Sequence, residues 1–194
     1  METEAIQHSP AHAAPRSALL GDQLVRVDHD HTSSATGPAT SGTPNQPVVC
    51  RWLVLGYGNT LRQDDQAGPL VVDEVEALAL PGVRTIACAQ LCPEHAQEVA
   101  QAAAVVFVDA QVGPGRSVFL RRVLPGETPQ LITHTAEPPT LLAIAREVYG
   151  RCPPAWLLTI PAESFGFGTE VSPLAREGVA VAVAEITELS REDF

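Results

Sequence analysis

No lysine occurs anywhere in this chain; all 12 basic residues are arginine. A P-loop lysine, a Schiff-base lysine and a lysine general base are thereby excluded together. Basic side chains are scarce altogether, 12 against 23 acidic ones, for a formal net charge of −11. Nucleic acid rewards basic patches, so this balance argues against it as a partner. An acidic field favours a basic partner or a cation, although acidity is common among soluble proteins. No apolar run approaches the roughly 18–20 residues that span a bilayer. Nor does a basic segment followed by an apolar stretch open the chain, so neither membrane insertion nor secretion is expected, and the reading is a cytoplasmic protein.

Cysteine is sparse as well. Cys50, Cys88, Cys92 and Cys152 do not make a disulfide framework in 194 residues, and reduced thiols, some buried, are expected. The spacing of Cys88, Cys92 and His95 would seed a zinc site, but no fourth ligand is evident. No G-x-S-x-G elbow and no H-E-x-x-H motif occurs. A thiol protease pairing one of these cysteines with His134 is conceivable, yet nothing local marks any of the thiols as activated.

What is present divides in two. Residues 1–46 hold a small, polar, Pro/Gly-rich stretch from His31 to Pro47 that cannot bury enough surface to offset its ordering entropy. A disordered N-terminal tail is expected there, with a transient helix or strand near Leu19–Val27. Four of the six histidines lie in it, and Asp28-His29-Asp30-His31 reads as a solvated linker rather than a preorganised metal site. Residues 47–194 form one domain, long enough to bury a sizeable core.

In that domain the pattern alternates. Val48–Leu55 reads as a buried strand ended by Gly56-Tyr57-Gly58, and Gly68–Leu80 as a helix with Leu70, Val71, Val75 and Leu78 on one face. Val83–Cys88 is a second strand and Pro93–Ala103 a helix with proline in its first turn. Val105–Val108 is a short apolar strand ending at Asp109, and Ser117–Leu124 alternates in the manner of an antiparallel strand. Pro138–Tyr149 is a helix stopped by Gly150, Ala155–Ile160 a strand, and Ser172–Leu189 a helix capped by Ser172 with Pro173 first. Alternation of this kind predicts an α/β fold, a mostly parallel sheet covered by helices on both faces. Sites in such sheets form at the carboxyl ends of strands, near a topological switch point.

Three features sit where chemistry is expected. The loop Gly56-Tyr-Gly58-Asn59-Thr-Leu61-Arg-Gln-Asp64-Asp65 joins a strand to a helix. It fails as a dinucleotide fingerprint, because the third glycine position is Leu61. Its two adjacent acids stand beside a helix start, a place that also favours Asp for capping. Asp109 follows a buried strand, a usual site position, though turns also recruit Asp. His134 lies between a short apolar segment and a helix, and completes a set of two carboxylates and one histidine.

Together these segments resemble the hydrogenase maturation proteases, endopeptidases that trim the C-terminus of nickel–iron hydrogenase large subunits. The resemblance runs over roughly residues 50–190. It rests on Gly56, Gly58, Asn59, Leu61, Asp64 and Asp65, then Gln90-Leu-x-Pro-Glu94, then the strand leading to Asp109, then His134 with the Leu141-Leu-x-x-Ala helix ending Tyr149-Gly150, and finally Phe167-Gly-x-x-x-Ser172-Pro173. It implies a three-layer αβα sandwich with a twisted, mainly parallel sheet of about five strands. It also implies that Asp65, Asp109 and His134 are the metal-contacting and catalytic set. The nickel is implied to arrive with the substrate, the hydrogenase large-subunit precursor. Two departures stand out: Gln66 replaces a glycine after the acidic pair, and Asp65 occupies a position where relatives also carry the longer glutamate. The mechanism stays open between a metal that polarises the scissile carbonyl and one that only positions the precursor while a carboxylate assists water. A non-catalytic checkpoint that binds the loaded precursor and a nucleotide-binding α/β domain are the rival readings.

Overall fold

A computed structural model describes residues 24–27, 48–127 and 136–191. Six strands form one sheet in the order β1-β5-β6-β4-β2-β3. They are β1 (Leu24–Val27), β2 (Cys50–Tyr57), β3 (Val83–Cys88), β4 (Ala102–Val112), β5 (Val118–Val123) and β6 (Ala155–Ala162). Four helices accompany them, α1 (Ala67–Ala77), α2 (His95–Ala100), α3 (Pro138–Tyr149) and α4 (Pro173–Leu189). A single 3₁₀ turn, Gln63–Gln66, leads directly into α1.

The four strands β3, β2, β4 and β6 are parallel, while β5 runs antiparallel to β6 and β1 parallel to β5. Five of the six strands come from the domain expected to supply about five. Of residues 1–46 the structure describes only β1, within the piece expected to form a transient helix or strand. The rest of that segment, its four histidines included, lies outside the described residues.

Each face of the sheet is sealed by a separate apolar layer. Trp52 and Val54 of β2 with Val106 and Val108 of β4 point towards Val71, Val72 and Val75 of α1 and Val179, Ala182 and Ile186 of α4. The alternate residues, Leu53 and Leu55 with Val105 and Phe107, meet Ala96 and Val99 of α2 and Leu141, Leu142 and Ala145 of α3. Side chains alternate across a strand, so continuous apolar runs such as these bury both faces at once. The three-layer αβα architecture follows.

Helix ends obey local chemistry. Ser172 Oγ accepts from Ala175 N at 3.1 Å, the N-cap bond that satisfies one orphan donor of α4. Gly150 closes α3 in the left-handed region at φ 69°, and Arg151 N donates back to Ala145 O at 3.2 Å. Two expectations are corrected. The helix begun near Pro93 stops at Ala100, three residues early, because Ala102 and Ala104 pair with Cys50 and Trp52 in the sheet. Alanine favours helix, and sheet pairing overrides that preference here. The β4 strand also continues past Asp109 to Val112, since its ladder with β6 runs on to Ala162. Asp109 therefore marks the end of the β2–β4 pairing rather than the end of the strand.

Candidate functional site

The chain passes from β2 to β3 on one side and returns to β4 on the other. The carboxyl ends of β2 and β4 therefore flank the switch point at which a crevice opens in this class of sheet.

At the β2 end the loop is held by contacts that only small residues permit. A side chain at Gly56 would meet the backbone of Gly68 in α1 at 2.2 Å, so the helix lies directly on the strand there. The close helix packing that Leu61 would obstruct is thus supplied by Gly56 and Gly68. Gly58, at φ +143°, leaves room for the carbonyl of Asp65, which would stand 1.8 Å from any Cβ. Its N–H donates to Cys88 O at 3.1 Å. Asn59 then folds the loop on itself: its Oδ1 accepts from Leu61 N at 2.9 Å, while its N–H donates to Asp65 Oδ2 at 2.9 Å. This is the usual way an Asn side chain shapes a turn.

The two adjacent acids diverge. Asp64 is 1% exposed. Its Oδ2 accepts from Glu163 N at 2.8 Å and Ser164 N at 3.4 Å, and its Oδ1 from Ser172 N at 2.7 Å. Burial pushes this carboxyl up, but the hydrogen bonds from Ser172, Glu163 and Ser164 outweigh it and leave it below its ordinary range. Asp64 is thus the anchor of the loop between β6 and α4. Gln63 N to Gly168 O at 2.8 Å and Gly168 N to Leu61 O at 2.9 Å extend that staple. It leaves Leu61 and Phe167 exposed on neighbouring chain segments.

Asp65 is half-buried, accepts from Asn59 N, and lies near enough to Asp109 for its charge to raise the Asp109 carboxyl. Burial is the larger cause, and together they push Asp109 up to about 6 against hydrogen bonds from Tyr57 and from Ala110 N, the latter at 2.9 Å. The Tyr57 hydroxyl is itself held protonated, first by burial and then by the negative charge of Asp109. Glu137, the residue that precedes α3, adds to this negative field around Tyr57, and Arg121 opposes it.

Of the three residues expected to act together, Asp65 and Asp109 are described, near enough for the charge of Asp65 to act on Asp109. His134 lies outside the described residues. Tyr57 and Glu137 belong to the same surroundings and were not singled out from the sequence. The signal for Tyr57 was its place, two residues beyond Leu55 in the alternation of β2; nothing in the sequence announced Glu137. Among the described residues no group of three or more His, Cys, Asp and Glu side chains stands ready to hold a metal ion.

The Cys88, Cys92 and His95 spacing does not assemble a metal site. His95 Nδ1 accepts from Cys92 N at 3.0 Å, and the Cys88 thiol points to Gly56 O at 3.9 Å. Burial pushes the Cys88 thiol up to about 11, and burial also raises Cys50 and Cys152. None of these three is an activated thiolate. Cys88→Ser, Cys92→Ser and Cys152→Ser are accordingly expected to keep any peptidase activity of the wild type, followed by mass spectrometry. Loss in one of them alone would revive a thiol mechanism.

No protein-family model matches this chain, and no curated protein does. Solved structures do. A [NiFe] hydrogenase maturation protease HycI from Thermococcus kodakarensis superposes with a TM-score of 0.57 at 25% identity, over 73% of this chain and 93% of that one. An endopeptidase from Escherichia coli gives 0.53 at 26% identity, over 70% and 89%. The hydrogenase maturating endopeptidase HybD from E. coli gives 0.55 at 24% identity, over 73% and 92%. The fold is shared, and the chain resembles these hydrogenase maturation proteases and endopeptidases, which are peptidases.

Proposed function

We propose that this protein is the cytoplasmic endopeptidase that removes the C-terminal extension of a nickel-loaded hydrogenase large-subunit precursor. Asp65, Asp109 and His134 recognise the nickel that the precursor carries. What supports this reading is a desolvated Asp109 beside the switch point of the sheet, with Asp65 near enough for its charge to act on it. Two carboxylates, one on the turn before α1 and one on β4, can offer hard oxygen donors to a cation that already has ligands elsewhere, and a histidine adds a borderline nitrogen donor. Nickel in the precursor supplies positive charge that orients the tail at this edge. Asp109, hydrogen-bonded and partly desolvated, is a candidate to accept a proton from an attacking water.

The partner would be the precursor, and the strongly acidic chain gives no support to nucleic acid. Among the described residues no helix is long and apolar enough to cross a membrane. The test uses full-length enzyme treated with chelator, then mixed with nickel-loaded or metal-free precursor and read by mass spectrometry. Shortening of the loaded precursor alone is expected. Efficient cutting of the metal-free form would sink metal sensing. Activity that returns only when zinc is restored to the enzyme would point to an ordinary metalloprotease. Binding without any shortening would favour the checkpoint.

A further inference from the structure

Tyr57 is the last residue of β2, and its neighbour Gly56 pairs with Val108 of β4, so Tyr57 and Asp109 come next on the two strands. Leu53, Leu55 and Tyr57 face the α2–α3 layer, as do Val105 and Phe107. The two-residue alternation places Asp109 on that same side. The pair are thus cross-strand neighbours on one face, which sets the Tyr57 hydroxyl beside the Asp109 carboxylate, where it can donate to it. The ring packs against the Leu53, Leu55 and Phe107 cluster, which fixes where the hydroxyl stands. Asp109 Oδ1 also accepts from Ala110 N, so the carboxylate is oriented by the backbone of β4 as well as by the side chain from β2.

The terminal torsion of an aspartate is broad and easily turned, and a carboxylate left to itself presents its lone pairs in many directions. A donor fixed by core packing removes that freedom before the substrate arrives. We propose that Tyr57 is a positioning residue, whose hydroxyl sets the Asp109 carboxylate so that this protein tells a metal-loaded precursor from a metal-free one. This rests on the reading of Asp109 given above and adds the residue that makes it selective. Hydrogen-bond partners of metal-binding side chains typically carry a 10- to 100-fold effect on affinity or activity.

The experiment measures the affinity of full-length wild type and Tyr57→Phe for nickel-loaded and for metal-free precursor, from binding traces taken before cleavage. Phenylalanine keeps the ring in the core and removes only the hydroxyl, and melting curves of both proteins confirm that the fold is retained. The expected result is a preference for the loaded form that drops roughly 10-fold or more in Tyr57→Phe, with affinity for the metal-free form unchanged. An undiminished preference would overturn the positioning role, and so would equal weakening towards both forms, which is what a purely structural residue would produce. A wild type without any preference would remove the reading of Asp109 itself, and this inference with it.

Discussion

Asparagine at Asp65 or Asp109, and alanine at His134, will each cut precursor processing by at least about 100-fold, beyond the usual loss from a mere supporting partner. The two asparagine variants conserve volume and will keep the fold, because neither carboxylate supplies core packing. Asn59 N donates to Asp65 Oδ2, and an amide oxygen can take that bond over. For Asp109 the fold itself gains. Burial, with the charge of Asp65 added, holds this carboxyl at about 6, above its unfolded value of 3.8. The folded state therefore loses stability as the pH rises from about 3.8 to about 6, the full cost is present above 6, and it vanishes below the unfolded value. Asp109→Asn is expected to melt at or above wild type at pH 7–8, with the gap closing towards pH 3. Mass-spectrometric cleavage assays and melting curves on the same preparations check both halves. Wild-type processing by all three variants would show that the site is misassigned.

A residue that weakens the fold while occupying its chemical edge is a sign of use rather than of architecture. This is also where sequence reading reached furthest. Strand β3 and helix α3 were legible to the residue, since the apolar runs, Pro138 and Gly150 punctuate them. Asp109 was legible as an acid after a buried apolar run, although the strand itself continues to Val112. What could not be read was register. That Tyr57 faces Asp109 depends on which β2 residue pairs with Val108, a long-range fact that no local pattern encodes. The boundary between α2 and β4 was lost for the same reason, because only the pairing with Cys50 and Trp52 turns Ala102 and Ala104 into strand. Nor did the sequence say which of two adjacent acids is buried; both fit a helix start equally well.

That last ambiguity predicts opposite outcomes for one substitution at neighbouring positions. Asp64→Asn will destabilise the protein by about 3 kcal/mol, the scale of two disrupted buried charge-assisted hydrogen bonds, whereas Asp65→Asn will barely change stability. Both Asp64 oxygens accept: Oδ1 from Ser172 N, Oδ2 from Glu163 N and Ser164 N. An asparagine in either orientation turns its NH₂ towards at least one of these donors, leaving a buried N–H opposed by another. For a chain of this size the loss corresponds to a fall in melting temperature of roughly 10 °C at pH 7. Acid should narrow the difference. Hydrogen bonds hold the Asp64 carboxyl below its unfolded value of 3.8, so the stability it contributes is complete above that pH and disappears as the pH drops through the folded-state value. Melting curves of wild type and Asp64→Asn at pH 7 and near pH 3 decide the matter. Equal melting temperatures at pH 7 would mean that the loop from Glu163 to Ser172 does not depend on Asp64. With the loop loosened, Phe167 and the Gly168 contact to Gln63 lose their fixed relation to the Asp65 turn. Processing should then fall through misplacement of an intact Asp65 and Asp109 pair, and recover in part at lower temperature, where the loop redocks. Asp65→Asn, which removes the chemistry itself, should show no such recovery.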